Sequence, residues 1–311
     1  MTKPSLAQRL KKPQTWSKLL LSLLRYVVLI CIGFIILYPL LSRITNSLKS
    51  YEDLMDPTVI LVPKHWSFEN FALAMEAMHF WDSLKNSVIV AALTTVLQVI
   101  SCTLIGYGFA RFRFPGRRLL YALVIVTLLI PPQTFMTAQF MQFRYFDIGG
   151  LFSLLLGHPI NMVNTPLPFA LLSLTGLGLK NGLYIYLMTQ FFRGVPKELE
   201  EAGYVDGAGP FTVFFRIMVS TATPMIVTII LFSVSWQWTD TFYSSLFLSN
   251  WWTLPMSIGP IPAFKNGTLD PAVIMAALDA GLLLILIPIL LLYVFTQKFF
   301  IEGIERSGIV G

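Results

Sequence analysis

Six long apolar runs dominate the pattern of hydrophobic and polar positions along the chain. They cover residues 20–42, 86–110, 119–139, 166–192, 219–246 and 273–299. Each is long enough for the helix of about 20 residues that crosses the hydrocarbon core of a bilayer. None shows the two-residue alternation of a barrel strand. The pattern therefore predicts an all-α integral membrane protein with six transmembrane helices.

The composition agrees with this prediction and excludes other classes of protein. Hydrophobic residues make up 55% of the chain and charged residues only 12%, with a mean hydropathy of +0.70. A soluble domain usually has about 25% charged residues, so a soluble enzyme is excluded. The high hydrophobicity excludes a disordered chain, and two cysteines are too few for a disulfide scaffold.

The basic residues predict the orientation in the membrane. Net charge is +6, and most of the 22 Lys and Arg residues lie before the first run, between the second and third, between the fourth and fifth, or at the C-terminus. Basic residues are retained on the cytoplasmic side, so both termini are expected to be cytoplasmic. This predicts a cytoplasmic N-terminal segment at 1–19 and a single six-helix domain at 20–311. Because the charge is explained by orientation, no nucleic-acid partner is expected.

A polar segment at residues 193–210 separates the fourth and fifth runs. Pro196 suits the first turn of a helix, where its missing N–H costs nothing. Glu198 and Glu201 follow near the positive end of the helix dipole. Gly207 suits the left-handed conformation that often ends a helix. The segment therefore predicts a short cytoplasmic helix of about three turns.

One face of this predicted helix carries small side chains. Ala202 and Gly203 lie at helical spacing from Leu199 and Asp206. Small side chains let another surface approach closely, so this face is a candidate docking surface. The residue types alone fit a solvated acidic connector equally well, and both interpretations stay open at this point.

The same segment follows the pattern E-A-A-x-x-D-G-A with a spaced F and I, and so resembles the EAA loop of ABC importer permeases. Two positions depart from that pattern. Gly203 replaces the third motif residue, and Val219 and Ser220 replace the usual Leu-Pro. The residues that carry the resemblance are Glu201, Ala202, Gly203, Asp206, Gly207, Ala208, Phe214, Ile217 and Pro224.

Three further segments extend the resemblance to about residues 66–311. The basic turn at 110–118, the Ile-Pro-Pro-Gln stretch at 130–133 and the segment 297–303 are similar to permeases of the carbohydrate-uptake type, in particular those of maltose transporters. The resemblance implies the type I ABC importer permease fold in a bacterial inner membrane. It also implies a core at about 82–300 and a coupling loop at 193–218.

The resemblance further implies that the loop helix docks onto a separate ATPase subunit. The chain has no G-x-x-x-x-G-K-[ST] phosphate-binding loop, so the ATPase would bind ATP and Mg²⁺, and the chain itself is expected to have no cofactor, metal or catalytic site. The other implied partners are a second homologous permease and an extracytoplasmic solute-binding protein. The residues expected to serve coupling are Glu198, Glu201, Ala202, Gly203, Asp206, Gly207 and Ala208.

Polar residues inside the apolar runs are candidates for a solute pathway, because a charge at the bilayer centre costs about 2.5–3.5 kcal/mol. Sugar rings present C–H faces to aromatic side chains and hydroxyl groups to polar ones, and an interfacial aromatic belt is the alternative for the tryptophans. Asp279 is expected at the outer interface. The candidate pathway residues are Lys180, Asn181, Trp236, Gln237, Trp238, Asp240 and Tyr243.

These observations together predict the permease subunit of an ATP-driven importer for a sugar or oligosaccharide. Two alternatives remain at this point. One is the same machinery for a glycerol-phosphate-like or peptide solute. The other is an ATP-independent carrier or channel, which the Gly-rich and Pro-rich fourth run would suit.

Overall fold

A computed structural model describes residues 13–267 and 269–308 of the chain. Within these residues there is no β-strand, only two isolated bridges, Lys49 with Trp66 and Phe146 with Ile160. Residues 1–12 of the predicted N-terminal segment, and 309–311 of the predicted permease domain, lie outside the described residues.

The helices follow one another with short connections. A 3-10 turn at Pro132–Phe135 lies between α5 and α6, a π-helical segment at Val213–Met218 lies between α11 and α12, and a 3-10 segment at Ile261–Gly267 precedes α16. In chain order the α-helices are α1 (Pro13–Ser47), α2 (Tyr51–Met55), α3 (Glu69–Ala77), α4 (Phe80–Arg111), α5 (Arg117–Leu129), α6 (Met136–Arg144), α7 (Leu151–Leu156), α8 (Leu167–Leu174), α9 (Asn181–Gly194), α10 (Glu198–Val205), α11 (Pro210–Thr212), α12 (Val219–Thr221), α13 (Thr223–Trp238), α14 (Phe242–Phe247), α15 (Leu254–Ser257) and α16 (Pro271–Gly308).

Three helices are long and apolar enough to cross a membrane by themselves. They are Leu20–Ser47 of α1, the whole of α4, and Pro271–Gln297 of α16, and they match the first, second and sixth predicted runs. Two bent pairs match the third and fifth runs. One bends by 102° between Arg117–Leu129 and Pro132–Arg144, and the other by 71° between Pro210–Thr221 and Thr223–Trp238. If each pair is one span, the described residues contain up to five.

The fourth predicted run is not one continuous helix, and that part of the prediction is wrong. It contains α8 and α9, about 12 Å and 21 Å long, each too short for a hydrocarbon core of about 30 Å. Residues 175–180 separate them. Gly176 and Lys180 have positive φ angles of 78° and 64°, which a right-handed helix cannot contain. The count of six transmembrane helices stays a prediction.

The described part of Met1–Ala74, together with Pro262–Leu283, forms one compact unit. In it, Arg43 and Asn46 near the end of α1 bind the carboxylate of Asp279 in α16, at 2.7 Å and 2.8 Å. Asp279 is buried. A buried carboxylate is tolerable when it is paired and hydrogen-bonded, so the structure gives Asp279 a structural explanation.

A polar loop follows α1 in the same unit. Asp53 accepts hydrogen bonds from the backbone N–H of His65 at 2.8 Å and contacts the His65 ring Nδ1 at 3.0 Å. Burial raises the pKa of Asp53, but the hydrogen bonds from His65 and from the backbone of Lys64 outweigh it and lower the pKa below its usual value. Asn70 fixes the start of the loop by donating to the carbonyls of Ser47 and Lys49.

Met75–Ile261, with the described residues from Leu284 onward, forms the second unit. Its centre is α4, which packs against α8, α9 and α13. Gly106 allows a close approach to α9, because a Cβ atom there would lie 2.5 Å from the Cβ of Met188. The apolar side chains of α4, α9 and the π-helical segment form one core, in which Tyr184, Met188, Phe192 and Met218 are fully buried.

Candidate functional site

The loop helix predicted between the fourth and fifth runs is α10. It is somewhat shorter than the predicted three turns, since it begins at Glu198 and ends at Val205. Gly207 adopts φ 81° after it, and the N–H of Ala208 donates to the carbonyl of Gly203 at 3.0 Å. Gly207 therefore ends the helix in the left-handed conformation that the sequence indicates.

The inner face of α10 is held by close packing at Gly203. A Cβ atom at this position would lie 2.6 Å from Ile217 Cδ1 and 3.2 Å from Val213 Cγ2. Gly203 is buried, so its missing side chain lets α10 approach the π-helical segment of the same chain. This differs from the expectation that Gly203 belongs to the face that meets a partner.

An ion pair holds the same helix to the end of α4. Arg111 Nε lies 2.6 Å from Glu200 Oε1, and the two side chains are only 7% and 13% exposed. The Nε–H group does not point at this oxygen, so the contact is a close ion pair rather than an aligned hydrogen bond. Arg111 Nη2 also donates to the carbonyl of Val195 at 2.7 Å, just before α10. Arg111 thus fixes both α10 and the chain that enters it.

The outer face of α10 carries the remaining acidic residues. Glu198, Glu201 and Asp206 are exposed, as are Ala202 and Gly207, while Ala208 is half-buried. The helix therefore presents carboxylates beside small residues on a surface that its inner contacts keep in place. Such a surface can bind a basic or polar groove of another protein.

The break in the fourth run is held by a buried polar network. Asn181, at the start of α9, donates to the carbonyl of Ser173 at 3.0 Å. Gln98 of α4 donates to Asn181 Oδ1 at 2.6 Å and to the carbonyl of Leu179 at 2.8 Å. Ser233 of α13 donates to Gln98 Oε1 at 2.5 Å. The network supplies partners for backbone groups that the break removes from a helix.

Lys180 and Trp236 meet beside this break. The ammonium of Lys180 lies 4.3 Å from the centre of the Trp236 ring, a cation–π contact. Trp236 is 46% exposed. The structure thus brings two of the predicted pathway residues together at an accessible place.

The other predicted pathway residues have structural partners or are enclosed. Trp238 Nε1 donates to the carbonyl of Ile285 at 3.0 Å. Asp240 accepts from the backbone N–H groups of Tyr243 and Ser244, at the start of α14. Gln237 and Tyr243 line a cavity of about 10 Å³, which is room for one water molecule and not for a sugar. In this conformation Gln237 faces a space too small for a sugar, whereas Trp236 is partly exposed.

The sequence profile of a known family covers most of the residues that build both features, and Gln98 lies just before the match. The profile of the binding-protein-dependent transport system inner membrane component matches residues 102–305. This range contains α10, its inner contacts, the break in the fourth run and Trp236.

The chain belongs to this family.

A binding-protein-dependent transport system inner membrane component is a transport subunit and not an enzyme, as the sequence predicts. Curated relatives cover most of the chain. The arabinooligosaccharides transport system permease protein AraQ of Halalkalibacterium halodurans is 26% identical over 285 residues, which are 90% of this chain and 93% of AraQ. The melibiose/raffinose/stachyose import permease protein MelC of Bacillus subtilis is 28% identical over 303 residues, 97% of this chain and 100% of MelC.

A third relative is the diacetylchitobiose uptake system permease protein NgcG of Streptomyces coelicolor, 28% identical over 276 residues, 88% of this chain and 84% of NgcG. Among solved structures, a chain of a bacterial ABC transporter involved in the import of the acidic polysaccharide alginate has a TM-score of 0.72 at 19% identity. The match covers 96% of this chain and 100% of that chain. The prediction of an all-α ABC importer permease fold is therefore confirmed.

Three residues at these features are not among the functional residues that the sequence predicts. Glu200 belongs to neither predicted set, although it is the acidic residue of α10 that is paired inside the protein. Its partner Arg111 belongs in the sequence only to a basic turn. Gln98 belongs there only to an apolar run. A glutamine in the middle of a predicted span was the available signal, since an unpartnered amide is costly there.

Proposed function

We propose that this chain is the permease subunit of an ATP-driven importer that carries a sugar or oligosaccharide into the cell. Family membership supports the importer, and the names of the curated relatives support the solute class, because they specify arabinooligosaccharides, diacetylchitobiose and melibiose, raffinose or stachyose. The alternative of an ATP-independent carrier has no support from this family. The geometry of α10 is the single observation that carries the mechanism.

In this proposal the outer face of α10 docks onto a separate ATPase dimer, which binds ATP and Mg²⁺. The exposed carboxylates of Glu198, Glu201 and Asp206 contact the ATPase, and Ala202 and Gly207 allow close approach. A push on the outer face would be transmitted to α4 through Arg111 and Glu200, because these side chains link the two helices directly. A second homologous permease and an extracytoplasmic binding protein complete the assembly.

The docking proposal is tested with the double variant Glu201→Lys and Gly207→Trp in the reconstituted transporter. It reverses one charge and fills the space beside it, so solute-stimulated ATPase activity should fall to the unstimulated level. Glu52→Lys is the matched control, since Glu52 is an exposed carboxylate in α2 and should leave stimulation unchanged. Full stimulation in the double variant would refute docking through this face.

For the solute, Lys180 and Trp236 supply the two groups that a sugar needs. The indole ring offers a face to sugar C–H groups, and the ammonium offers three hydrogen-bond donors to hydroxyl groups. The family itself does not specify the residues that contact a solute. We place solute contact at Lys180 and Trp236 because the other predicted residues are buried or already hydrogen-bonded.

Uptake of radiolabelled oligosaccharides by a deletion strain carrying plasmid-borne variants tests this contact. Trp236→Ala removes the ring face and Lys180→Met removes the charged donor, so each should raise the KM for uptake, by roughly tenfold for a lost contact of about 1.4 kcal/mol. Trp81→Ala is the control, because Trp81 is an exposed tryptophan at the start of α4. An unchanged KM in both pathway variants would remove Lys180 and Trp236 from the pathway and leave the ATPase proposal intact.

A further inference from the structure

A large cavity opens where α4 ends and α5 begins. It has a volume of about 780 Å³ and is lined by four arginines, Arg113, Arg117, Arg118 and Arg193, beside apolar side chains. This volume lies within the range of about 300–1,000 Å³ that is usual for small-molecule sites. The proposed transport cycle uses none of these arginines.

The four guanidinium groups have no acidic partner among the described residues, in which the arginine ion pairs are those of Arg43 and Arg111. Arg117 donates to the carbonyl of Phe112, at 3.1 Å. Arg193 lies over the ring of Tyr121, 4.9 Å from its centre. The described residues that line the cavity include no carboxylate. Four like charges around one space repel one another, so the cavity favours an anionic occupant.

The position of the cavity suits a lipid. α4 is a predicted span that ends at Arg111, and α5 begins the next span at Arg117, so the cavity lies at the level of the bilayer headgroups. Leu119, which lines the cavity, and Leu120 beside it are exposed apolar side chains in the first turn of α5. An arginine-lined space therefore continues into an apolar surface, as a headgroup continues into its acyl chains.

We propose that this cavity binds the phosphodiester group of an anionic phospholipid. Guanidinium groups bind phosphate oxygens through paired, charge-assisted hydrogen bonds, and basic pockets between transmembrane helices hold acidic headgroups. Arg193 lies just before the residues that lead from α9 into α10. A lipid bound in the cavity would therefore stabilise the start of that connection. The inference depends on insertion of the chain in a membrane and is independent of the transported solute.

The test is native mass spectrometry of the full-length chain, purified in detergent with its co-expressed partner subunits. Dioleoyl phosphatidylglycerol and dioleoyl phosphatidylcholine are added separately, and inorganic phosphate and glycerol 3-phosphate form two further arms. The variant is Arg113→Gln with Arg118→Gln, because both are exposed and neither is needed for the contacts of Arg117 and Arg193. The wild type should bind phosphatidylglycerol in preference to phosphatidylcholine.

The double variant should weaken phosphatidylglycerol binding by roughly 25-fold, at about fivefold for each basic residue near an anionic lipid. Arg144→Gln with Arg216→Gln removes the same charge from exposed positions outside the cavity and should retain binding. Arg113→Lys with Arg118→Lys should restore part of it. Equal loss in the control pair, or equal binding of the two lipids, would overturn the proposal.

Two other outcomes would also overturn it. If inorganic phosphate or glycerol 3-phosphate binds as tightly as the lipid, the cavity is a site for a soluble anion. If Arg113→Gln with Arg118→Gln loses the ATPase subunit and keeps phosphatidylglycerol, the arginines dock a protein partner. Each of these results leaves the proposed coupling through the outer face of α10 standing, since that face is tested separately.

Discussion

One pair of charged side chains, Arg111 and Glu200, fixes α10 against the end of α4. Arg111 is the last residue of α4 and Glu200 lies in the first turn of α10, and both are nearly buried, so each charge depends on the other. Removing one partner of a buried pair leaves an uncompensated charge, which costs about 3–5 kcal/mol. Replacing both with apolar residues removes this cost. Variants can therefore distinguish the contribution of the pair to stability from its proposed role in coupling.

We expect Arg111→Met and Glu200→Met to destabilise the protein singly by about 3 kcal/mol, and the double variant with both substitutions to recover most of that loss. Thermal unfolding of the purified assembly measures the effect. Glu198→Gln is the control, because Glu198 is exposed on the same helix. Additive losses in the double variant would show that the two side chains do not interact.

Asp53 gives a residue-level prediction of pH dependence. Its pKa is lowered in the folded loop, although burial opposes the change, because His65 and the backbone of Lys64 donate to its carboxylate. A group with a lowered folded pKa contributes stability above its unfolded pKa, near 3.8, and loses it as the pH falls through the folded value. Asp53→Asn should therefore lower the melting temperature at pH 7, and the difference from wild type should shrink below about pH 3.8.

The control for Asp53 is Glu52→Gln, its exposed neighbour in α2, which should melt like the wild type across the same pH range. A constant difference between Asp53→Asn and wild type down to pH 3 would mean that ionisation of Asp53 does not stabilise the loop.

At the scale of helices, α4 organises the larger unit, and two glycines on it have opposite environments. A Cβ at Gly106 would lie 2.5 Å from Met188 Cβ and 3.1 Å from the Met188 carbonyl carbon, whereas one at Gly108 would have no atom within 4 Å. Backbone cannot move aside as a flexible side chain can. Small residues at such crossings are what allow helices to pack closely in a membrane.

Gly106→Ala should destabilise the protein by about 1–3 kcal/mol, because the added methyl overpacks the contact of α4 with α9. Gly108→Ala should be neutral or stabilising by up to about 1 kcal/mol, since alanine loses less entropy in a helix than glycine does. Thermal unfolding of the two variants side by side distinguishes packing from helix propensity. Equal effects of the two substitutions on stability would show that Gly106 does not lie at a tight contact between α4 and α9.

At the scale of the whole molecule, orientation in the membrane stays a prediction. The basic residues predict that the α4–α5 turn is cytoplasmic and that the loop after α1 is outside. In a background with Cys31→Ser, Ile60→Cys should react with a membrane-impermeant maleimide in intact cells, and Phe112→Cys should react only after lysis. Both positions are exposed. Reaction of Phe112→Cys in intact cells would reverse the predicted orientation.

Much of the fold could be predicted because it depends on local sequence. Runs of apolar residues identify α1, α4 and α16, and Gly207 identifies the end of α10. The break between α8 and α9 could not be predicted in the same way. The run as a whole has the length and hydropathy of a span, and the break is held by Gln98, which is about 80 residues earlier in the chain. A periodicity argument cannot detect a partner so far away.

The class of the protein, its transport family and the short acidic helix follow from the amino-acid sequence, because hydropathy, motif spacing and helix-ending residues act over a few neighbouring positions. Only the folded chain shows which acidic residues of α10 are exposed and which is paired inside, why Gly203 is small, and which predicted pathway residues are accessible. These outcomes depend on contacts between distant segments. Burial and pairing arise only when those segments pack together.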